Sequence, residues 1–150
     1  MALTKVQSDL LGTGSVLQVV QGTLAGSIST SSSTFVTTGL SASITPKSSS
    51  SKILILVNMA DVYTNNPGFV SCITVFRGST NLSSGSGYSQ AFSYIYGAQP
   101  IQVNASFSVI DSPATTSSTT YSVQWTSISG TTYININGQT SYIQLLEIAA

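Results

Sequence analysis

Residues 101–109 read IQVNASFSV, and polar residues alternate there with apolar ones. The apolar positions are Ile101, Val103, Ala105, Phe107 and Val109. Successive side chains of a β-strand point to opposite faces, so this period of two predicts a strand with one buried face. Asp111-Ser112-Pro113 then predicts a turn.

Strand patterns continue on both sides of this segment. Residues 52–58 (KILILVN) form a continuous apolar run, which suits a strand buried on both faces or a strand at a subunit contact. Asn137-Gly138 predicts a tight hairpin between residues 133–136 and a return strand at 142–148. Further strands are predicted at 16–20, 34–44, 69–77 and 121–125, and no segment has a convincing helical period.

These segments amount to about eight short strands separated by closely spaced turn signals. We therefore expect an all-β protein, a single antiparallel β-sandwich or jelly roll over residues 16–150. The serine-rich tracts at 27–33, 48–51 and 115–120 are predicted loops. Residues 1–15 have no packing pattern of their own, so we expect an N-terminal arm or anchor there. Its candidate contacts with a partner are Leu3, Val6, Leu10 and Leu11.

The chain carries very little charge. Only 5% of its 150 residues are charged, its net charge is zero, and serine and threonine make up about a third of it. Ordinary soluble domains are about 25% charged, and charge repulsion keeps copies of a protein apart. We therefore expect association with copies of itself or with other subunits, using Ile53, Ile55 and Val57 as contacts.

The same composition excludes several partners. Four basic residues cannot form a patch that neutralises many phosphates, so no nucleic acid is expected. No apolar run approaches the ~20 residues of a membrane-spanning helix. Gln7 and Asp9 interrupt the N-terminal apolar residues, so we expect no signal peptide and synthesis in a cytoplasm.

Catalysis is not expected either. The chain has no histidine, the usual general base and a common metal ligand, and we predict no catalytic residue, metal site or cofactor. Asp61 and Asp111 could form a glycosidase-like pair, which keeps a small glycan hydrolase as an alternative. We favour an Asp111 that binds local backbone amides in its turn, and a Cys72 that is a buried apolar residue.

Tyrosines and amides cluster in two predicted loops. Flat apolar rings with polar tips suit sugar recognition and protein interfaces, although rings that fill a core remain the alternative. A host-surface glycan is the candidate ligand. The candidate receptor or interface residues are Tyr63, Asn65, Asn66, Tyr88, Tyr94 and Tyr96.

Several short motifs follow one another along most of the chain. They are Leu3-Thr4-Lys5-Val6, Gly14-Ser15-Val16-Leu17-Gln18-Val19-Val20, Leu40-Ser41-Ala42-Ser43-Ile44-Thr45-Pro46, Lys52-Ile53-Leu54-Ile55-Leu56-Val57, Phe76-Arg77-Gly78-Ser79-Thr80, Asp111-Ser112-Pro113-Ala114-Thr115-Thr116, Tyr121-Ser122-Val123-Gln124-Trp125 and Leu146-Glu147-Ile148-Ala149-Ala150. In this order they resemble small virion structural, tail-fibre-like proteins of bacteriophages, especially phages of marine bacteria and cyanobacteria. The resemblance implies a β-sandwich located on the virion as a homotrimer.

Four functions stay open at this point. The first is a tail-fibre-type or other surface appendage that docks to capsid, neck or tail proteins and displays its loops outward. The second is a capsid decoration (cement) protein that clamps capsomers. A small glycan hydrolase and a monomeric sugar-binding module are the others.

Overall fold

A computed structural model of the protein describes residues 12–64, 66–83, 85 and 91–150, without the side chain of Tyr94. Within these ranges the chain forms eleven β-strands and no helix, so none that could cross a membrane. The strands are β1 (Val16–Ala25), β2 (Ile28–Thr30), β3 (Val36–Ile44), β4 (Lys52–Thr64), β5 (Phe69–Arg77), β6 (Thr80–Asn81), β7 (Ser93–Gly97), β8 (Ile101–Asp111), β9 (Thr119–Ser127), β10 (Thr132–Ile134) and β11 (Thr140–Ile148).

The first of two antiparallel sheets is built around the long strand β4. β8 pairs with one edge of β4, while β11 and then β10 pair with the other edge. β1 lies outside β11, and β2 lies outside β10. Across its main part the first sheet therefore has the order β1-β11-β4-β8.

The second sheet is centred on β5. β9 pairs with one edge of β5 and β3 lies outside β9, whereas β7 and β6 pair with the other edge of β5. The core fills the space between the two sheets, so the predicted all-β sandwich is confirmed. Its largest fully buried side chains are Trp125, Tyr121, Phe69, Leu40, Ile44, Ile53, Ile55, Met59, Ile73, Ile134, Ile143 and Leu145.

The hairpin predicted at Asn137-Gly138 is wrong. β10 and β11 do not pair with each other, because both run antiparallel to β4 and follow one another along its edge. Residues 135–139 interrupt this line. Asn135 has a left-handed backbone (φ 59°), and its side chain donates to the carbonyl oxygens of Leu24 (2.9 Å) and Gly26 (3.3 Å). These bonds to a neighbouring strand fix the interruption, which local turn preferences do not reveal.

Several strands of the first sheet have backbone irregularities, and these lie side by side across the sheet. Gly26 (φ 83°) separates β1 from β2, Asn135 separates β10 from β11, and Asp61 (φ 58°) lies in a register shift between β4 and β8. The Asp61 carboxylate accepts the Asn137 backbone N–H at 2.9 Å, which joins two of these irregularities. Such bulges bend the strands that carry them.

The two ends of the sandwich differ in charge. Five of the six charged residues that the described ranges contain lie at one end, which we term the charged end: Lys47, Lys52, Arg77, Asp111 and Glu147. The opposite end carries the loops at 31–35, 66–68, 98–100 and 128–131.

The described part of the predicted N-terminal arm joins the charged end. The Gly14 backbone N–H donates to the Ala149 carbonyl at 2.8 Å, and the Ala149 N–H donates to the Ser15 carbonyl at 2.9 Å. The predicted arm contacts Leu3, Val6, Leu10 and Leu11 lie outside the described residues.

Candidate interaction face

The apolar run of β4 divides between the two faces of the first sheet. Ile53, Ile55 and Val57, the predicted subunit contacts, point inward and are buried in the core. Leu54 and Leu56 alternate with them on the outer face and are half-buried. A partner that meets this strand would therefore touch the leucines. The signal was already in the sequence, since a continuous apolar run makes both faces of a strand apolar.

One row of side chains on this outer face is apolar across all four main strands. Val19 on β1 pairs with Leu146 on β11, Leu146 pairs with Leu54 on β4, and Leu54 pairs with Ile110 on β8. Residues directly opposite each other have Cβ atoms about 4.5–5.5 Å apart, so neighbours in the row are in contact range. Val19 is 58% exposed and Ile110 is 62% exposed. We term these four residues the apolar row.

A shallow hollow of about 370 Å³ lies beside the apolar row. The serines at 106 and 108 on β8 have small side chains, which leaves room beside the larger Leu56 and Tyr142. Leu56 on β4 is opposite Ser108, and Tyr142 lies on β11, on the other side of β4. The hollow is lined by Leu56, Val57, Asn58, Ser106, Phe107, Ser108, Tyr142 and Gln144.

Polar groups around the hollow bind each other. Asn58 donates to the Ser106 hydroxyl at 2.8 Å, and Gln144 donates to the Gln21 side-chain oxygen at 2.8 Å. On the outer face itself, Lys52 lies in the next pair along the strands, opposite Ile148. The described residues of this face therefore carry little charge, with Lys52 at the rim and Lys47 Nζ bonded to the Leu17 carbonyl of β1.

The outer face of the second sheet has different chemistry. Its exposed positions on β3 and β9 include Ser41, Ser43 and Thr120, and the hydroxyls of Ser43 and Thr120 are 2.7 Å apart. Hydroxyls can satisfy their hydrogen bonds with water, whereas an aliphatic row cannot. β3 and β9 thus present hydroxyls where the first sheet presents the apolar row, whereas Val70 and Cys72 of β5 and Tyr96 of β7 lie on the outer side of the second sheet.

Comparison with known proteins assigns the chain to no family. No protein-family model matches the chain, and no curated protein matches it.

The fold brings only some of the candidate receptor or interface residues close to each other. The Tyr63 ring packs against Tyr133 with centroids 6.0 Å apart on the first sheet. Asn66 is exposed, and Tyr96 on the second sheet is 57% exposed. Both lie at the opposite end, where the Gly68 N–H donates to the Gly97 carbonyl at 2.7 Å. Asn65, Tyr88 and the Tyr94 side chain lie outside the described part of the chain.

The two aspartates of the hypothetical glycosidase pair are far apart. Asp111 is opposite Ile53 at one end of β4, and Asp61 is eight positions further along that strand. At about 3.3 Å per residue this corresponds to roughly 26 Å, whereas glycosidase carboxylates lie about 5–9.5 Å apart. These two residues therefore cannot act on one glycosidic bond within a single chain.

Asp111 joins the two sheets. Its carboxylate accepts Arg77 Nη1 at 2.8 Å to each oxygen and the Tyr121 hydroxyl at 2.7 Å. Burial raises the pKa of Tyr121, and the hydrogen bond to Asp111 raises it further. The predicted role of Asp111 in binding local backbone amides is wrong, because partners on β5 and β9 take up its carboxylate.

Asp61 is buried at the level where the first sheet is irregular. Its carboxylate accepts Gln102 Nε2 besides the Asn137 N–H, and its own N–H donates to Asn104 Oδ1 at 3.0 Å. A polar dip lined by Asp61, Gln102, Val103, Asn104 and Gln139 opens beside it. Both carboxylate oxygens accept a hydrogen bond, so Asp61 holds the bulge together.

Glu147 is a buried carboxylate that the sequence did not single out. It accepts Gln18 Nε2 at 2.6 Å and the Lys47 backbone N–H at 2.7 Å. Burial by itself would raise the pKa of Glu147, but hydrogen bonding outweighs it and lowers the pKa, with Gln18 first among the donors and the backbone of Lys47 and Ser48 adding to it. The residue ties β11 to β1 and to the loop before β4.

No metal centre is found in the ranges that the structure describes, since these hold no group of three His, Cys, Asp or Glu side chains. Cys72 is buried as predicted, and burial raises the pKa of its thiol. A protonated, buried thiol is a weak nucleophile.

Proposed function

We propose that this protein is a structural component of a bacteriophage virion. It is a tail-fibre-type or other surface appendage that works by self-association and display, without catalysis. The apolar row carries the proposal, because it gives the first sheet an outer face that water solvates poorly. The near-absence of charge and the order of the sequence motifs support the same function.

The difference between the two ends supports a direction of attachment. The described chain starts at the charged end, beside the last residues of β11. Residues 1–15 would dock there on other virion proteins, such as capsid, neck or tail proteins. The opposite end would then face outward with Asn66 and Tyr96, and a host-surface glycan is its candidate ligand.

The proposal includes a jelly-roll topology. Among the eight longer strands, the first pairs with the last (β1 with β11), the second with the seventh (β3 with β9), the third with the sixth (β4 with β8) and the fourth with the fifth (β5 with β7). This nested pairing is the pattern of a jelly roll, an architecture found in viral capsid and lectin domains. It supports a virion role by analogy of fold.

A capsid decoration protein is the second candidate. It is favoured by the position of Gly14, whose bond to Ala149 fixes the start of the described residues at the charged end. A fully extended segment of about ten residues spans at most roughly 33 Å, which sets the reach of an arm attached at that end. The two candidates share the fold and the apolar face and differ in copy number.

Copy number in purified particles tests the proposal. Quantitative mass spectrometry would compare this chain with the major capsid protein of the same particles. We expect a few dozen copies or fewer for an appendage, whereas hundreds in a simple ratio to the capsid protein would identify decoration. Absence from the particles would contradict any virion role.

A further inference from the structure

We infer that the apolar row binds a second copy of this chain, with the row of one copy seated in the hollow of the next. The inference rests on the self-association in the proposed function. It adds the surface, the residues and the way in which the surfaces fit.

The apolar row needs a cover. Single exposed apolar side chains are normal on a soluble protein, but contiguous apolar patches mark binding surfaces. The row joins four aliphatic residues in direct cross-strand register, and Val16 and Ile148 extend it as the next pair towards the charged end. Both end members of the row, Val19 and Ile110, are more than half exposed.

Charge favours another copy as the occupant. A partner rich in charged side chains would lose their hydration on this face without gaining counter-charges, which is costly. A second copy brings a neutral face of the same composition, and its Lys52 can stay hydrated at the rim. Because the chain has no net charge, two copies also approach without repulsion.

Shape favours the same occupant. The leucine and isoleucine side chains of the row stand next to a hollow whose floor includes two serines, Ser106 and Ser108. Leu54 or Ile110 of a second copy would fill that hollow and contact Leu56 and Tyr142. The polar groups of Asn58 and Gln144 lie around it, as the polar rim of an interface does.

The row and the hollow are two different patches, and the contact is heterologous when each copy gives its row to one neighbour and its hollow to another. Heterologous contacts close into a ring when their rotation permits, and they extend into filaments when it does not. Any closed ring satisfies both patches of every copy, and a ring of three is the size that the resemblance to phage virion proteins implies.

The test measures the mass of the full-length protein by light scattering coupled to size exclusion. We expect three times 15.6 kDa for the wild type. The double variant Val19→Ser/Ile110→Ser changes only exposed positions on the edge strands, so it should keep the fold and fall threefold in mass. Ile128→Ser, a matched exposed residue at the opposite end, should keep the wild-type mass.

Ser108→Leu tests the hollow separately. It fills the space without removing any apolar group from the row, and it should also release single chains, with a circular dichroism spectrum like that of the wild type. A wild type that runs as a single chain would overturn the inference, and so would an assembly that both the double variant and Ser108→Leu leave intact.

The outcome is separable from the virion role. A single-chain protein found in purified particles would refute the row as a self-contact and leave the virion role standing. A protein that assembles through the row but is missing from particles would refute the virion role and leave the self-contact standing.

Discussion

Glu147 shows how a single buried carboxylate can stabilise a chain with almost no charge. Its hydrogen bonds come from Gln18 and from the backbone of Lys47, and they lower its pKa in the folded state. A lowered folded pKa adds stability above the ordinary glutamate pKa of about 4.3, and this stability is lost as the pH falls through the folded value.

Glu147→Gln should therefore lower the free energy of unfolding at neutral pH by about 1–3 kcal/mol, the usual cost of losing hydrogen bonds to a buried charged group. The difference from the wild type should shrink below the ordinary glutamate pKa. Urea denaturation at neutral and acidic pH would measure it. A difference of equal size at both pH values would mean that ionised Glu147 adds no stability.

Asn135 combines a left-handed backbone with a buried side chain that binds β1 and the residue after it. Asn135→Ala loses the bonds to Leu24 and Gly26 and places a less suitable residue at positive φ, so it should cost about 2–4 kcal/mol of stability.

Asn135→Gly separates the two effects. Glycine adopts positive φ freely, so this variant should lose only the hydrogen bonds and fall between the wild type and Asn135→Ala in thermal unfolding. A glycine variant no more stable than the alanine variant would argue against backbone strain at this position.

At the scale of elements, strands β1 and β3 approach so closely that only glycine fits between them. A Cβ atom on Gly22 would lie 2.0 Å from the Ser41 carbonyl oxygen, a backbone atom that cannot rotate away. Gly22→Ala should lower the free energy of unfolding by at least about 1–3 kcal/mol, the usual cost of overpacking.

Gly12→Ala is the control for that variant, because a Cβ atom there meets nothing within 4 Å. It should unfold at the wild-type temperature in differential scanning fluorimetry. Equal melting temperatures for both variants would mean that β1 and β3 are further apart than described here.

Local patterns predicted most strands but not their partners. Alternation located β8 and β9, and the bounds of β5 match the segment predicted at residues 69–77. The Asn137-Gly138 hairpin was wrong because its backbone conformation depends on bonds that Asn135 makes to β1, more than a hundred residues earlier. Asp111 likewise finds Arg77 and Tyr121 only after the sheets pack.

At the scale of the whole molecule, the sandwich is asymmetric in two directions. One outer face carries the apolar row and the other carries hydroxyls on β3 and β9, while one end is charged and the other uncharged among its described residues. Composition predicted association but assigned it to the inward side chains of β4. The apolar row could not be predicted from the sequence, since its four members are far apart along the chain and meet only through the register of four strands.

Hydroxyl-radical footprinting of the wild-type protein, at high and low concentration, tests most directly whether the apolar row is covered by self-association. Val19, Ile110 and Tyr142 should be protected at high concentration and become reactive on dilution. Tyr96 and Ile128, exposed elsewhere, should react equally at both concentrations. If Val19 and Ile110 react at high concentration as fast as they do in the dilute protein, the first sheet faces water and the account of self-association is wrong.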